Sequence, residues 1–119
     1  MEHTKEFLEL AEAARLRVKE ISVEETLKKL ENGAALIDVR EDNEFAAGHA
    51  ENAKHIGRGV IERDIIGAFP DKNSELILYC GGGFRSALAA ENLQKMGYTN
   101  VLSMAGGFAA WTDTGAPTE

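Results

Sequence analysis

One stretch of the chain carries a nucleophile in a setting that would activate it: Leu76-Ile-Leu-Tyr-Cys-Gly-Gly-Gly-Phe-Arg-Ser86. The apolar run Leu76 to Tyr79 reads as a buried strand, and it delivers the only cysteine, Cys80, to the strand's end. Gly81, Gly82 and Gly83 follow, then Phe84, Arg85 and Ser86, where a helical pattern begins that runs to Gly97. The first turn of a helix carries unpaired backbone N–H groups and the positive end of the dipole. Successive glycines let such groups converge on one point, forming a nest for an anion. A cysteine with the ordinary pKa of about 8.5 is only about 3% thiolate at pH 7. Cysteines at helix starts or beside arginine fall to between about 3.5 and 7.5, and a value of about 6.5 would give about 75% thiolate. The helix dipole alone supplies about 1 kcal/mol, so aimed N–H groups or an arginine must supply the rest. The bland alternative is a buried structural cysteine, a common fate for this residue. The glycine run decides for the functional reading.

Arg85 stands five positions after Cys80. Two roles stay open for it: contact with the bound anion, or hydrogen bonds to the loop carbonyls that hold the N–H groups in place. Asp38 and Arg40 alternate at the end of another apolar run, so they point the same way. They read equally well as charges orienting a crevice or as a structural ion pair beneath it. Arg58 and Arg63, near the ends of a helical stretch, would steer an anionic donor or simply face solvent. His49, His55 and Cys80 show no metal-ligand spacing, so capping or core roles are expected for the histidines, with no metal and no cofactor. A nucleotide-phosphate loop fits badly, because Gly-Lys-Ser/Thr is absent and Gly81 to Ser86 lacks the third glycine of the dinucleotide fingerprint.

Alternating strands and helices must position these residues. Phe7, Leu10, Ala11, Ala14 and Val18 mark one face of a helix over Thr4 to Lys19. Ile21 starts a short strand, and the capping-box pattern Ser22 to Glu25 opens a helix over Val23 to Glu31 that Asn32-Gly33 ends. Ala34 to Val39 is a buried strand. Asp42 is placed to cap a short helix over Asn43 to Ala47, stopped by Gly48. Ala53 to Ile56 is a weaker strand, Gly57 to Gly67 a loop and helix, and Pro70 to Asn73 a turn. After the central strand and its helix, Asn100 to Met104 is a last strand, followed by Gly106-Gly107 and a short helix with Phe108 and Trp111. Short apolar strands alternating with helices indicate a parallel sheet covered on both faces. The carboxyl ends of such strands open on one crevice, which brings Arg40, Cys80 and Gly106-Gly107 to the same edge.

The composition sets outer bounds. A chain of 119 residues, 44% hydrophobic, is one domain with a single core. A net charge of −7 argues against general affinity for nucleic acid or anionic membrane. No apolar stretch approaches the roughly 18 residues of a bilayer span. Met1 to Leu10 has Glu2, Glu6 and Glu9 and no apolar core, unlike a secretory signal. With one cysteine and no internal disulfide, a cytoplasmic setting is expected.

Several segments together resemble a known family. Leu36-Ile-Asp-Val-Arg-Glu41, Glu44-Phe-Ala-Ala-Gly-His49, Tyr79-Cys-Gly-Gly-Gly-Phe-Arg-Ser86, Gly97-Tyr98 and Gly106-Gly-Phe-Ala-Ala-Trp111 are similar, in this order, to a single-domain rhodanese, over roughly Ile21 to Gly115. The resemblance implies a three-layer α/β/α domain with a five-stranded parallel sheet over residues 21–119, with residues 1–20 as an N-terminal helix packed on it. It implies a sulfurtransferase of the thiosulfate type. Cys80 would attack the outer sulfur of a donor, hold it as a persulfide, and pass it to cyanide or a thiol, a protein thiol included. Cys80 would be the nucleophile, Gly81 to Ser86 the loop whose N–H groups hold the persulfide, and Arg85 the residue that closes that loop, with Asp38, Arg40 and Arg58 in support. Two departures stand out: Ala50-Glu-Asn-Ala53 replaces the family's Ile-Pro-Gly-Ala, and no basic residue lies between Cys80 and Arg85, which makes thiosulfate a poor donor. Related phosphatases and arsenate reductases use a Cys-x5-Arg loop, one residue longer, so an intact phosphate dianion should fit badly. A binding or redox-sensing module without catalysis is the other competing reading.

Overall fold

The computed structural model describes residues 3–119. Its five strands form one parallel sheet in the order β1-β5-β4-β2-β3: β1 (Lys19–Ile21), β2 (Ala35–Asp38), β3 (Lys54–His55), β4 (Leu76–Tyr79) and β5 (Val101–Met104). Strand alternation sends side chains to two faces, and each face is buried. Ile37, Val39, Leu76, Leu78 and Cys80 pack with α1 (Lys5–Arg15), α4 (Ile61–Ala68) and α5 (Phe84–Lys95). Leu36, Ile77, Tyr79, Leu102 and Met104 pack with α2 (Val23–Glu31) and α6 (Gly107–Asp113) on the other side. The three layers and the five-stranded parallel sheet are those implied by the family resemblance. All four residues of β4 are buried, which is why it reads as an unbroken apolar run at the centre of the sheet.

Helix α5 lies over β4 and β5 with Ala87, Ala89 and Ala90 buried, small side chains that let it approach the sheet closely. It ends as expected near Gly97, where the Tyr98 and Gly97 amides donate to the carbonyls of Leu93 and Gln94. Helix α1 packs along α5, and Arg17 at its end pairs with Glu91 at 2.8 Å.

Several boundaries differ from the sequence expectation. Helix α1 stops at Arg15, not Lys19, because the chain turns to pair Lys19–Ile21 with β5. Within α1 the buried face runs through Ala11 and Ala14, leaving Leu10 58% exposed, while Leu8 takes a half-buried place. At α2 only half of the capping box forms, with the Glu25 amide donating to Ser22 Oγ at 3.1 Å. Helix α3 (Asp42–Ala47) is capped by Glu41 rather than Asp42. Glu44 explains the change: its Oε1 accepts from the Glu41 amide at 3.0 Å and fixes the start one residue earlier.

One polar network ties the carboxyl end of β2 to its surroundings. Asp38 is fully buried and accepts from the Arg40 amide, from Arg40 Nε and Nη2, and from Tyr79 Oη at 2.6 Å. Arg40 Nη2 also donates to the Gly48 carbonyl at 2.7 Å, and Tyr79 Oη accepts from the Ala50 amide at 3.1 Å. Burial, then the Asp38 bond, pushes the Tyr79 phenol well above its ordinary pKa, so it stays a donor. Asp38→Ala would strand the buried Arg40 charge. We expect a loss of about 3–5 kcal/mol, read by chemical denaturation, against about 1 kcal/mol for Tyr79→Phe.

Candidate active site

The site is built where β4 ends against the start of α6. The Phe108 amide donates to the Cys80 carbonyl at 2.7 Å, and the Ala109 amide to the Gly81 carbonyl at 3.2 Å. In a trans peptide the C=O and the following N–H point in opposite directions. Binding these two carbonyls to α6 therefore turns the Gly81 and Gly82 amides away from α6, and no acceptor takes either one among the described residues. The Gly83 amide donates to Cys80 Sγ at 3.0 Å. Gly83 reaches this position with φ +101°, in the left-handed region, as the residue preceding α5.

The sulfur has one further partner. Cys80 Sγ lies 3.6 Å from Ser86 Oγ, which is itself 2.8 Å from Ser103 Oγ. Ser86 and Ser103 are both fully buried. Ser103 was missed from the sequence, although a lone serine in the apolar run Val101 to Met104 marks it. The two hydroxyls rotate freely, so the pair is able to accept from a thiol and donate to a thiolate.

One expectation needs correction. The ring of N–H groups around the sulfur is represented by a single bond, from Gly83; the Gly81 and Gly82 amides are free but not on the sulfur. Cys80 is also nearly closed over, at 1% exposure. Beside it opens a cleft of about 770 Å³, lined by Gly81, Gly82, Arg85, Glu44, Glu41 and Phe7 among others. The thiol lies at the margin of this cleft rather than on its wall, behind two glycines.

Arg85 makes no hydrogen bond to the loop carbonyls among the described residues. Its Nη1 and Nη2 fork the Glu44 carboxylate at 2.7 and 3.1 Å, and Nη2 lies over Gly81, where a Cβ would sit 3.2 Å away. The Arg85 bond holds the Glu44 carboxyl at a pKa of about 2, helped by the Glu41 amide and opposed by partial burial. Glu44 is thus held at both ends. Phe45, next along α3, is stacked between His49 and His55 at centroid distances of 3.7 and 4.7 Å. His49 Nδ1 contacts the Phe45 carbonyl, and His55 Nε2 donates to the Arg40 carbonyl. The histidines hold α3 in place, in line with their expected core role.

Asp38 and Arg40 form the structural ion pair, one of their two expected roles. Arg40 turns inward, with its guanidinium carbon 4.3 Å from the Phe108 ring, and supports α6 from below. Arg58 gives its amide to the Val39 carbonyl, but its side chain does not line the cleft. Arg63 pairs with its neighbour Asp64 on the exposed side of α4, so neither arginine joins the site. A second cleft, of about 710 Å³, lies between Leu30, Leu36, Phe69 and Trp111 and holds no nucleophile.

Comparison with known proteins fits this geometry. A family model described as a rhodanese-like domain matches residues 22–114. A polysulfide-sulfur transferase homodimer from Wolinella succinogenes is 27% identical, with 95% of this chain and 86% of that one covered and a TM-score of 0.82. A protein of unknown function from Rhodopseudomonas palustris, described as a possible tyrosine phosphatase, is 26% identical over 100% of this chain and 98% of that one, with a TM-score of 0.84. A rhodanese-like domain from Anabaena is 26% identical over 73% and 99% of the two chains, with a TM-score of 0.68.

Two measurements test the site's construction. A Cβ at Gly107 would lie only 2.2 Å from the Cys80 carbonyl oxygen, so Gly107→Ala must push α6 off the loop. We expect about 1–3 kcal/mol lost in denaturation and at least about a tenfold fall in Cys80 reactivity. The Glu44–Arg85 pair contributes stability in full above the ordinary carboxyl value of 4.5 and loses it as pH falls through about 2. The stability gap between the protein and Glu44→Gln, about 1 kcal/mol at pH 7, should therefore shrink steadily from pH 4.5 downward.

Proposed function

The chain belongs to the rhodanese-like domain family, and from that premise we propose that it is a sulfurtransferase working through a persulfide on Cys80. The observation that carries this reading is the loop after Cys80: one amide on the sulfur and two more left free beside it. A Cys80 thiolate attacks the outer sulfur of a sulfane donor. A new S–S bond forms to Cys80, the donor's S–S bond breaks, and the electron pair leaves on the departing group. With thiosulfate that group is sulfite; with a persulfide it is a thiolate. A nucleophilic acceptor, cyanide or a small or protein thiol, then takes the outer sulfur and restores the thiolate, which is ping-pong chemistry.

The terminal sulfur of the persulfide reaches one bond beyond Sγ. The Gly81 and Gly82 amides, free of other partners, are the donors available to its charge. Because Cys80 is 1% exposed, the glycine segment must shift slightly for a donor to reach Sγ. Gly82 is exposed, and a Cβ there would meet nothing within 4 Å, so the approach is open on its side. Ser86, with Ser103 behind it, stabilises the thiolate from the buried side.

The neighbour described as a possible tyrosine phosphatase gives phosphate ester hydrolysis a place as a second reading. The arginine is against it. Arg85 comes five residues after Cys80 and spends its fork on Glu44, leaving no open guanidinium for a phosphate dianion.

Intact-mass measurement separates these. Incubation with thiosulfate or an organic persulfide should add about 32 Da to the protein, removable by thiols and absent in Cys80→Ser. No adduct from any sulfane donor, or Cys80-dependent phosphate release from an aryl phosphate, would contradict sulfur transfer.

A further inference from the structure

The cleft beside Cys80 has an unusual balance of charge for a site that would receive a sulfur dianion. Its lining includes one guanidinium, Arg85, and two carboxylates, Glu41 and Glu44, leaving one negative charge in excess. The guanidinium is moreover already neutralised, since both its Nη atoms donate to Glu44. Glu44 is not a side chain that swings aside freely, because the Glu41 amide holds its Oε1 at 3.0 Å. The opposite wall is aromatic. Phe7 of α1 lines the cleft, backed by Phe84 at 6.3 Å between ring centroids, with His3 about equally close to both rings at 4.9 and 5.1 Å. His3, Thr4 and Phe7 all precede residue 22, where the match to the family model begins. The part of the wall that α1 supplies therefore lies outside the segment matched to the family model.

We propose that Glu44 and this α1 wall together set donor selectivity, rejecting dianions such as thiosulfate and favouring an organic persulfide whose apolar group rests on Phe7. This rests on the sulfur-transfer reading above. The step is balanced without a further reactant: the Cys80 thiolate attacks the outer sulfur of R–S–SH, a new S–S bond forms to Sγ, the donor's own S–S bond breaks, RS⁻ leaves with the electron pair, and Cys80 is left as the persulfide. The persulfide brings at most one negative charge to the cleft, where thiosulfate brings two. Each unfavourable charge at this range is worth about tenfold in encounter and binding. Glu44 acts as a selectivity residue and Phe7 as a contact for the leaving group.

The test follows the rate of Cys80 persulfidation by intact mass, with thiosulfate and with benzyl persulfide released from its trisulfide. The protein should prefer benzyl persulfide. Glu44→Gln should lower that preference at least about tenfold, through a gain with thiosulfate seen mainly in KM. Gly82→Lys, which adds a cation at a position with open space around its Cβ, should do the same without touching the Glu44 contacts. Phe7→Ala should slow benzyl persulfide alone. Raising salt should narrow the difference in thiosulfate rate between the unmodified protein and Glu44→Gln by screening the Glu44 charge, whereas a purely structural Glu44 would leave that difference unchanged. Preference for thiosulfate in the unmodified protein, or a donor ratio unchanged within about twofold in both Glu44→Gln and Gly82→Lys, would overturn the selectivity proposal and leave sulfur transfer standing. An absence of adduct from both donors would instead overturn sulfur transfer itself.

Discussion

The contact between the start of α6 and the two carbonyls after β4 is the constraint on which the site depends. With the Cys80 and Gly81 carbonyls bound by the Phe108 and Ala109 amides, the orientation of the two peptide planes is set. Their N–H groups are thereby committed to the opposite side. The approach is so close that residue 107 has no room for a side chain, because its Cβ would overlap the Cys80 carbonyl oxygen. A helix terminus usually stabilises an anion by pointing its own amides at it. Here α6 acts through carbonyls, and the loop it orients supplies the amides.

The rest of the fold holds that contact in register. Arg40, locked to the buried Asp38, stacks under Phe108, so the end of β2 supports α6. The same arginine reaches the Gly48 carbonyl, and His49 and His55 clamp Phe45, so α3 is held against β2 and β3. Helix α3 in turn presents Glu44 to Arg85 at the first turn of α5. Buried charge is expensive, and such pairs often add little net stability. Their value here is positional: three elements meet the cysteine loop, and a polar network fixes each one.

Much of this was legible in the sequence, for physical reasons. The buried strands announce themselves as apolar runs because a parallel sheet covered on both faces has no polar side, and Leu76 to Tyr79 is the clearest case. Cys80 and its glycines stood out because a nucleophile at a strand-to-helix junction is a local pattern. What the sequence hid depended on distance along the chain. The partner of Arg85 is 41 residues away, and no local signal selects Glu44 over Glu41 or Asp42. The Ser86–Ser103 pair joins two elements whose register is set only when the sheet forms. Leu10 and Ala11 are neighbours on α1, and spacing alone does not say which of the two faces the core; the packed face runs through Ala11 and Ala14. Arg58 carries a charge near the end of a helical stretch, but that charge and local spacing do not set which way its side chain points.

The amides of Gly81, Gly82 and Gly83 are the groups that would stabilise charge on sulfur, and amide proton shifts report that charge directly. Two-dimensional ¹H–¹⁵N spectra of the reduced and the persulfidated protein would show it. The account expects all three glycine amides to move downfield in ¹H on persulfidation, with far smaller changes elsewhere in α5 and none in Cys80→Ser given the same donor. Unmoved amides at Gly81 and Gly82 in a fully persulfidated protein would contradict it.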